Sequence, residues 1–319
     1  MNGKLVKQIA AIAGVALIFA LIDLGVYSTL VKRNTSHHSP GMQKMSVETG
    51  DYVPFKEGAY IKSVDTDLKI SENIPVIDGA AALLPVYAGF VESVYPESAV
   101  SFNGSDYDPG SKMQYTNTRS AFKNIVDGKA DIIICAGPSD KQLEYAKEKG
   151  VELELVPIGK DAFVFIVNSN NPVPGLTLDQ IKGIYSGKIR SWSEVGGSSY
   201  LISALTRNEG SGSQTALQKL MGDTPIAKDY DIFAGSPIGF SFRYYVTGML
   251  EEGGIKMLPI DGVEPAPGNI ASGAYPLSSE FYAIYRKGES NPNVTRFIEW
   301  MQSPEGQKIV ADTGYIPLG

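Results

Sequence analysis

The stretch Leu201-Ile202-Ser203-Ala204-Leu205, running into Thr206-Arg207-Asn208-Glu209-Gly210-Ser211-Gly212-Ser213, decides how this chain is read. The first five residues have the length and apolarity of a buried strand. The two glycines mark a tight loop, and Leu217, Leu220 and Met221 then recur at helical spacing. Such an order places a helix N-terminus at the end of a strand. The first N–H groups there have no backbone partner and the helix dipole adds partial positive charge, so an anion is a natural occupant. Gly210 and Gly212 let the backbone approach a ligand closely, while Ser211 and Ser213 add hydroxyl donors. Arg207 offers a forked, charge-assisted pair to a tetrahedral oxyanion. The Gly-Lys-Ser/Thr ending of a nucleotide phosphate loop is missing. The same spacing suits an ordinary helix cap with Arg207 as a surface charge, so a second site element is needed.

Working outward, two further helix starts follow strands. Val76-Ile77 ends at Asp78-Gly79, and a helix beginning near Ala81 and Ala82 carries Leu84, Tyr87, Val91, Val94 and Tyr95 on one side before Pro96 stops it. Thr118 opens a helix with Phe122, Ile125 and Val126 facing inward; its hydroxyl suits a cap or a ligand. Asp131 to Cys135 reads as a strand, Ser139 with Gln142 as a capping box, and Val151–Pro157 and Phe163–Val167 as two more strands. Beyond Pro172 and Pro174, Thr177 and Gln180 form a second capping box. Phe281–Tyr285 then reads as a strand, and Val294–Met301 and Pro304–Ala311 as helices. The alternation predicts an α/β fold with helices packed on mixed, largely parallel sheets.

Composition narrows the function. The 319 residues carry 28 Lys+Arg against 35 Asp+Glu, a net charge of −7 without a long basic cluster, which argues against nucleic acid as a partner. Two histidines are present, His37 and His38, adjacent in a polar stretch. No imidazole exists beyond them for a Ser-His or Cys-His nucleophile, a histidine general base or a histidine-bearing zinc site, so enzyme readings weaken and no metal or cofactor is expected. The single cysteine, Cys135, follows Ile132-Ile133-Ile134 and reads as core.

Ile9 to Ile22 form an almost unbroken apolar run that resumes after Asp23 through Leu24, Val26, Tyr27, Leu30 and Val31, in all long enough to cross a membrane, and Lys4 and Lys7 precede it. Residues 1–33 therefore read as a membrane anchor or an export signal. The absence of a small-x-small cleavage site favours the anchor, giving a protein held at the cell membrane. Residues 34–71 are polar and irregular at first and are expected to be a linker.

From about Ile74 onward the residues resemble the type II periplasmic-binding-protein superfamily, specifically phosphate-binding proteins of ABC transporters. The most specific pieces of the resemblance are Ile77-Asp78-Gly79-Ala80; Ala130-Asp131 through Gly137-Pro138-Ser139-Asp140; Ile184-Tyr185-Ser186-Gly187-Lys188-Ile189 with Trp192; and Arg207 through Gly210-Ser211-Gly212-Ser213-Gln214, and Gly239-Phe240-Ser241-Phe242 and Tyr275-Pro276-Leu277 add to them. It implies a two-lobed clamp, lobe 1 from 72–166 and 278–319 and lobe 2 from 167–277, closing on phosphate or a related oxyanion outside the cell for an ABC-transporter permease. It further implies Arg207 as charge partner and Ser211, Gly212, Ser213 and Thr118 as donors. Asp140 becomes the carboxylate that accepts the proton of a protonated phosphate oxygen. A hydroxyl usual in the family falls at Ala81, leaving only backbone donors such as the N–H of Ala82. That departure keeps open a tethered sensing or structural module of the same fold that does not bind phosphate.

Overall fold

The computed structural model describes residues 49–227, 235–249 and 254–318. The expected anchor over 9–31 and the histidine pair lie outside them. Among the described residues no helix is long and apolar enough to cross a membrane.

The strands are β1 (Ile77–Gly79), β2 (Ile132–Ala136), β3 (Leu153–Asn168), β4 (Ile202–Ala204), β5 (Ser236–Phe242), β6 (Ile255–Met257) and β7 (Ser278–Arg286). The helices are α1 (Leu84–Val94), α2 (Asn117–Val126), α3 (Asp140–Glu148), α4 (Leu178–Tyr185), α5 (Gly212–Met221), α6 (Pro267–Ala271), α7 (Pro292–Met301) and α8 (Pro304–Thr313). The strand order is β1-β2-β7-β3-β5-β4, with β6 also on β3.

Two expectations about the sheet need correction. It is mixed, as expected, but not largely parallel: β1–β2 and β4–β5 are parallel, whereas β2–β7, β3–β7, β3–β5 and β3–β6 are antiparallel. The reason is that β3 and β7 occupy the middle of the sheet and run in opposite directions. The two strands expected over 151–157 and 163–167 are also one, the 16-residue β3. A register shift between Pro157 and Gly159 absorbs the residues that resemble a break. Gly159 is required there, because a Cβ would stand 2.4 Å from Cζ of Phe281.

Buried apolar side chains form two clusters. One draws on residues between Tyr52 and Ile158 and returns at Phe281 to Tyr315; the other runs from Ala162 to Tyr275 and adds Ile316. β3 changes cluster between Ile158 and Ala162. The linker expected over 34–71 is a third correction. From residue 49 the chain is packed, with Tyr52, Val53, Leu68 and Ile70 buried in the first cluster. Its backbone is pinned to α1, since Ser93 Oγ accepts from the N–H of Val64 at 3.0 Å and Lys69 Nζ donates to the carbonyl of Ser93 at 2.7 Å. Cys135 is fully buried, as expected, and burial pushes its thiol well above the usual range.

Candidate functional site

Three chain segments that begin helices meet at one cavity of about 500 Å³. The first is the 3-10 turn Ala81–Leu83 leading into α1, the second the start of α2, and the third the start of α5.

Asp78, at the middle of β1 and 1% exposed, sets the second of these. One carboxylate oxygen accepts from the N–H of Gly79 at 2.7 Å and the N–H of Thr116 at 2.9 Å. The other accepts from Thr116 Oγ1 at 2.6 Å and Asn124 Nδ2 at 2.9 Å. A buried carboxylate with four donors is well satisfied, and it ties β1 to both ends of α2. Thr118, buried in the first turn of α2, is thereby held against the cavity.

The loop before α5 is fixed from within. Ser211 is the N-cap, its hydroxyl accepting from the N–H of Gln214 at 3.3 Å, and Gln214 Oε1 accepts from the N–H of Arg207 at 2.8 Å. Gly210 has φ +80°, a conformation open to glycine at little cost. A Cβ on Gly212 would lie 3.5 Å from Thr118 Oγ1, so the starts of α2 and α5 touch.

Of the residues named from sequence, Arg207, Ser211, Gly212, Ser213, Thr118 and Ala82 all line this cavity. Asp140 does not, and its assignment is corrected. The residue of that segment that lines the cavity is Ala136, at the end of β2. Pro138 and Ser139 then turn the chain into α3, Ser139 caps the helix, and Asp140 becomes its exposed first residue.

The carboxylate that does line the cavity is Asp161, on β3 between the two hydrophobic clusters and 4% exposed. Burial raises its carboxyl from 3.8 to about 7, against the opposing pull of the N–H groups of Ala162 and Tyr244 and the charge of Arg243. Sequence reasoning missed it because Lys160-Asp161 fell between two supposed strands. The signal was a charged pair inside an otherwise apolar run. Arg119, Tyr115 and Tyr245 also line the cavity without having been singled out. Arg207 lies near enough to Tyr245 to oppose the rise that burial imposes on its phenol.

The family model described as PBP superfamily domain matches residues 77–305. The chain belongs to the PBP superfamily. Among curated relatives, this PBP-superfamily chain is 29% identical over 259 residues to the phosphate-binding protein PstS of Bacillus subtilis, covering 76% of the chain and 80% of the relative. Protein SphX of Synechococcus elongatus is 24% identical over 279 residues, 78% of the chain and 82% of the relative. Among solved structures, the chain is similar to a phosphate-bound putative phosphate ABC transporter substrate-binding protein from Clostridium perfringens. That match has a TM-score of 0.57 and 25% identity, and covers 79% of this PBP-superfamily chain and 100% of the other. An ABC-type phosphate transport receptor from Vibrio cholerae shares the fold, with a TM-score of 0.54, 20% identity, and coverage of 78% and 99%.

Proposed function

We propose that the protein is an extracytoplasmic, non-enzymatic solute-binding protein that captures phosphate or a similar tetrahedral oxyanion between two lobes and presents it to an ABC-transporter permease, tethered through residues 9–31. The observation that carries this reading is the convergence of Arg207, Thr118 and the Ser211–Ser213 helix start on one cavity. Together they offer a guanidinium, hydroxyls and unpaired helix N–H groups, the donor set a tetrahedral anion requires. The resemblance to phosphate-binding relatives points the same way. Asp161 takes the part first given to Asp140, a carboxylate that meets a protonated anion oxygen. The strand β3, which runs from one cluster to the other, and the start of β7, where the chain returns from Tyr275 to Phe281, are the pivots on which the lobes close.

Calorimetric titration of the full chain with phosphate, then sulfate, tests the reading. Saturable phosphate binding is expected, weakened by roughly 30-fold or more in Arg207→Ala, because losing one partner of a buried charge-assisted contact costs about 2–5 kcal/mol. Absence of heat and of any thermal shift with either anion would overturn it in favour of the tethered sensing or structural module, the alternative that the methyls of Ala81 and Ala136 at the cavity favour.

A further inference from the structure

The cavity is larger than an inorganic oxyanion needs. The lobes already touch beside the anion loop. Lys141 Nζ is 2.6 Å from Glu209 Oε1, Gln142 Nε2 donates to the carbonyl of Gly210 at 3.4 Å, and Thr118 meets Gly212. About 500 Å³ remains with these contacts made. A tetrahedral oxyanion has five heavy atoms and fills roughly the space of three waters, about 90 Å³ at about 30 Å³ each. The remaining volume lies in the range that holds small organic ligands.

The lining has the corresponding chemistry. Ala81, Ala82 and Ala136 line the cavity, together with the aromatic residues Tyr115, Phe242 and Tyr245. These surfaces suit carbon better than a second oxyanion. Asp161 lines the same cavity; as a carboxylate it disfavours further negative charge and accepts a hydrogen bond from a hydroxyl or ammonium group.

We propose that the ligand is a small organic phosphate or phosphonate. Its tetrahedral head is held by Arg207, Thr118 and the start of α5. Its substituent, bearing a hydroxyl or ammonium donor, lies against the alanine and tyrosine wall and reaches Asp161. This rests on the oxyanion-binding reading above and narrows it to a ligand class.

The test is calorimetric titration of the full chain with inorganic phosphate, glycerol 3-phosphate, O-phosphoethanolamine and 2-aminoethylphosphonate, repeated with Ala81→Leu and Tyr115→Ala. Thermal melting confirms that each variant folds, and Tyr115→Ala serves if Ala81→Leu does not. At least one organic compound is expected to bind roughly tenfold or more tightly than inorganic phosphate, the discrimination that a few well-placed carbon contacts supply. Both variants are expected to remove that preference, and Tyr115→Ala to leave the dissociation constant for inorganic phosphate within about twofold. Inorganic phosphate binding as tightly as every organic compound would overturn this inference and leave the oxyanion-binding reading standing. A preference that survives both substitutions would overturn it equally. Failure of all four compounds to bind would overturn both.

Discussion

Asp161 is the side chain on which pH acts most directly at the cavity. Its folded-state value of about 7 lies above the ordinary 3.8 because burial disfavours the charge, so the native protein holds a proton there that the unfolded chain releases. The stability from that neutral form is fully present below about pH 4, declines as pH rises, and is gone once pH passes through about 7. The span corresponds to about 4 kcal/mol at most. Asp161→Asn is therefore expected to flatten the fall in melting temperature between pH 4 and 7 and to melt higher than wild type at pH 8. Parallel profiles for the two proteins would show that the carboxyl does not titrate across this range. Arg243, Tyr244 and Tyr315 are the charged and titratable groups that act with it on this region. The anion loop was legible in the sequence because its residues are contiguous from Arg207 to Ser213. Asp161 was not, since what makes it a site residue is a lining assembled from β3, β5 and β7 rather than anything beside it in the chain.

Local signals at helix ends read correctly because they span only a few residues. Ser139 with Gln142 and Thr177 with Gln180 both form the reciprocal capping bonds that their spacing predicts. Ser211 caps α5 through a single bond, and Ser211→Ala is expected to lower unfolding free energy by about 1 kcal/mol in urea titration. A ligand dissociation constant that also weakens would place the same hydroxyl on the anion. Long-range devices were harder to read. Pro157 and Gly159 look like a strand break, yet β3 runs through them with a shift in register. Gly159→Ala would press a methyl onto Phe281 and Val310, which stand 2.4 and 3.1 Å from the added carbon. Overpacking of this kind costs about 1–3 kcal/mol, and because Phe281 lines the cavity, ligand affinity should fall with the melting temperature. A variant as stable as wild type would show that the backbone gives way at the bulge. The packing of residues 49–70 escaped notice for a related reason. Tyr52 and Val53 are adjacent and follow no period, Leu68 and Ile70 give only a short alternation, and all four are buried in a cluster built largely from residues distant in sequence.

At the scale of the whole molecule, contacts beside the anion loop join α3 of one hydrophobic cluster to a loop of the other. The Lys141–Glu209 pair is exposed, at 73% and 56% of its side-chain surface, so solvent screens it strongly. A double-mutant cycle with Lys141→Ala and Glu209→Ala should give a small coupling, seen mainly as faster ligand release in stopped-flow measurements and fading in high salt. A coupling of zero for release, with affinity unchanged, would mean that the pair does not hold the cleft. The central place of β3 and β7 has a different consequence, one of timing. During synthesis, the cluster from Ala162 to Tyr275 has almost all of its residues available before β7 emerges, needing only Ile316 afterwards. The cluster begun at Tyr52 waits for Phe281 and for the two final helices. Until then β2 and the first half of β3 lack the strand that separates them, and each presents an open edge to any neighbouring chain. The half of the protein that starts first is thus the half that finishes last, and the interval between is when a nascent chain is most exposed to pairing with the wrong partner.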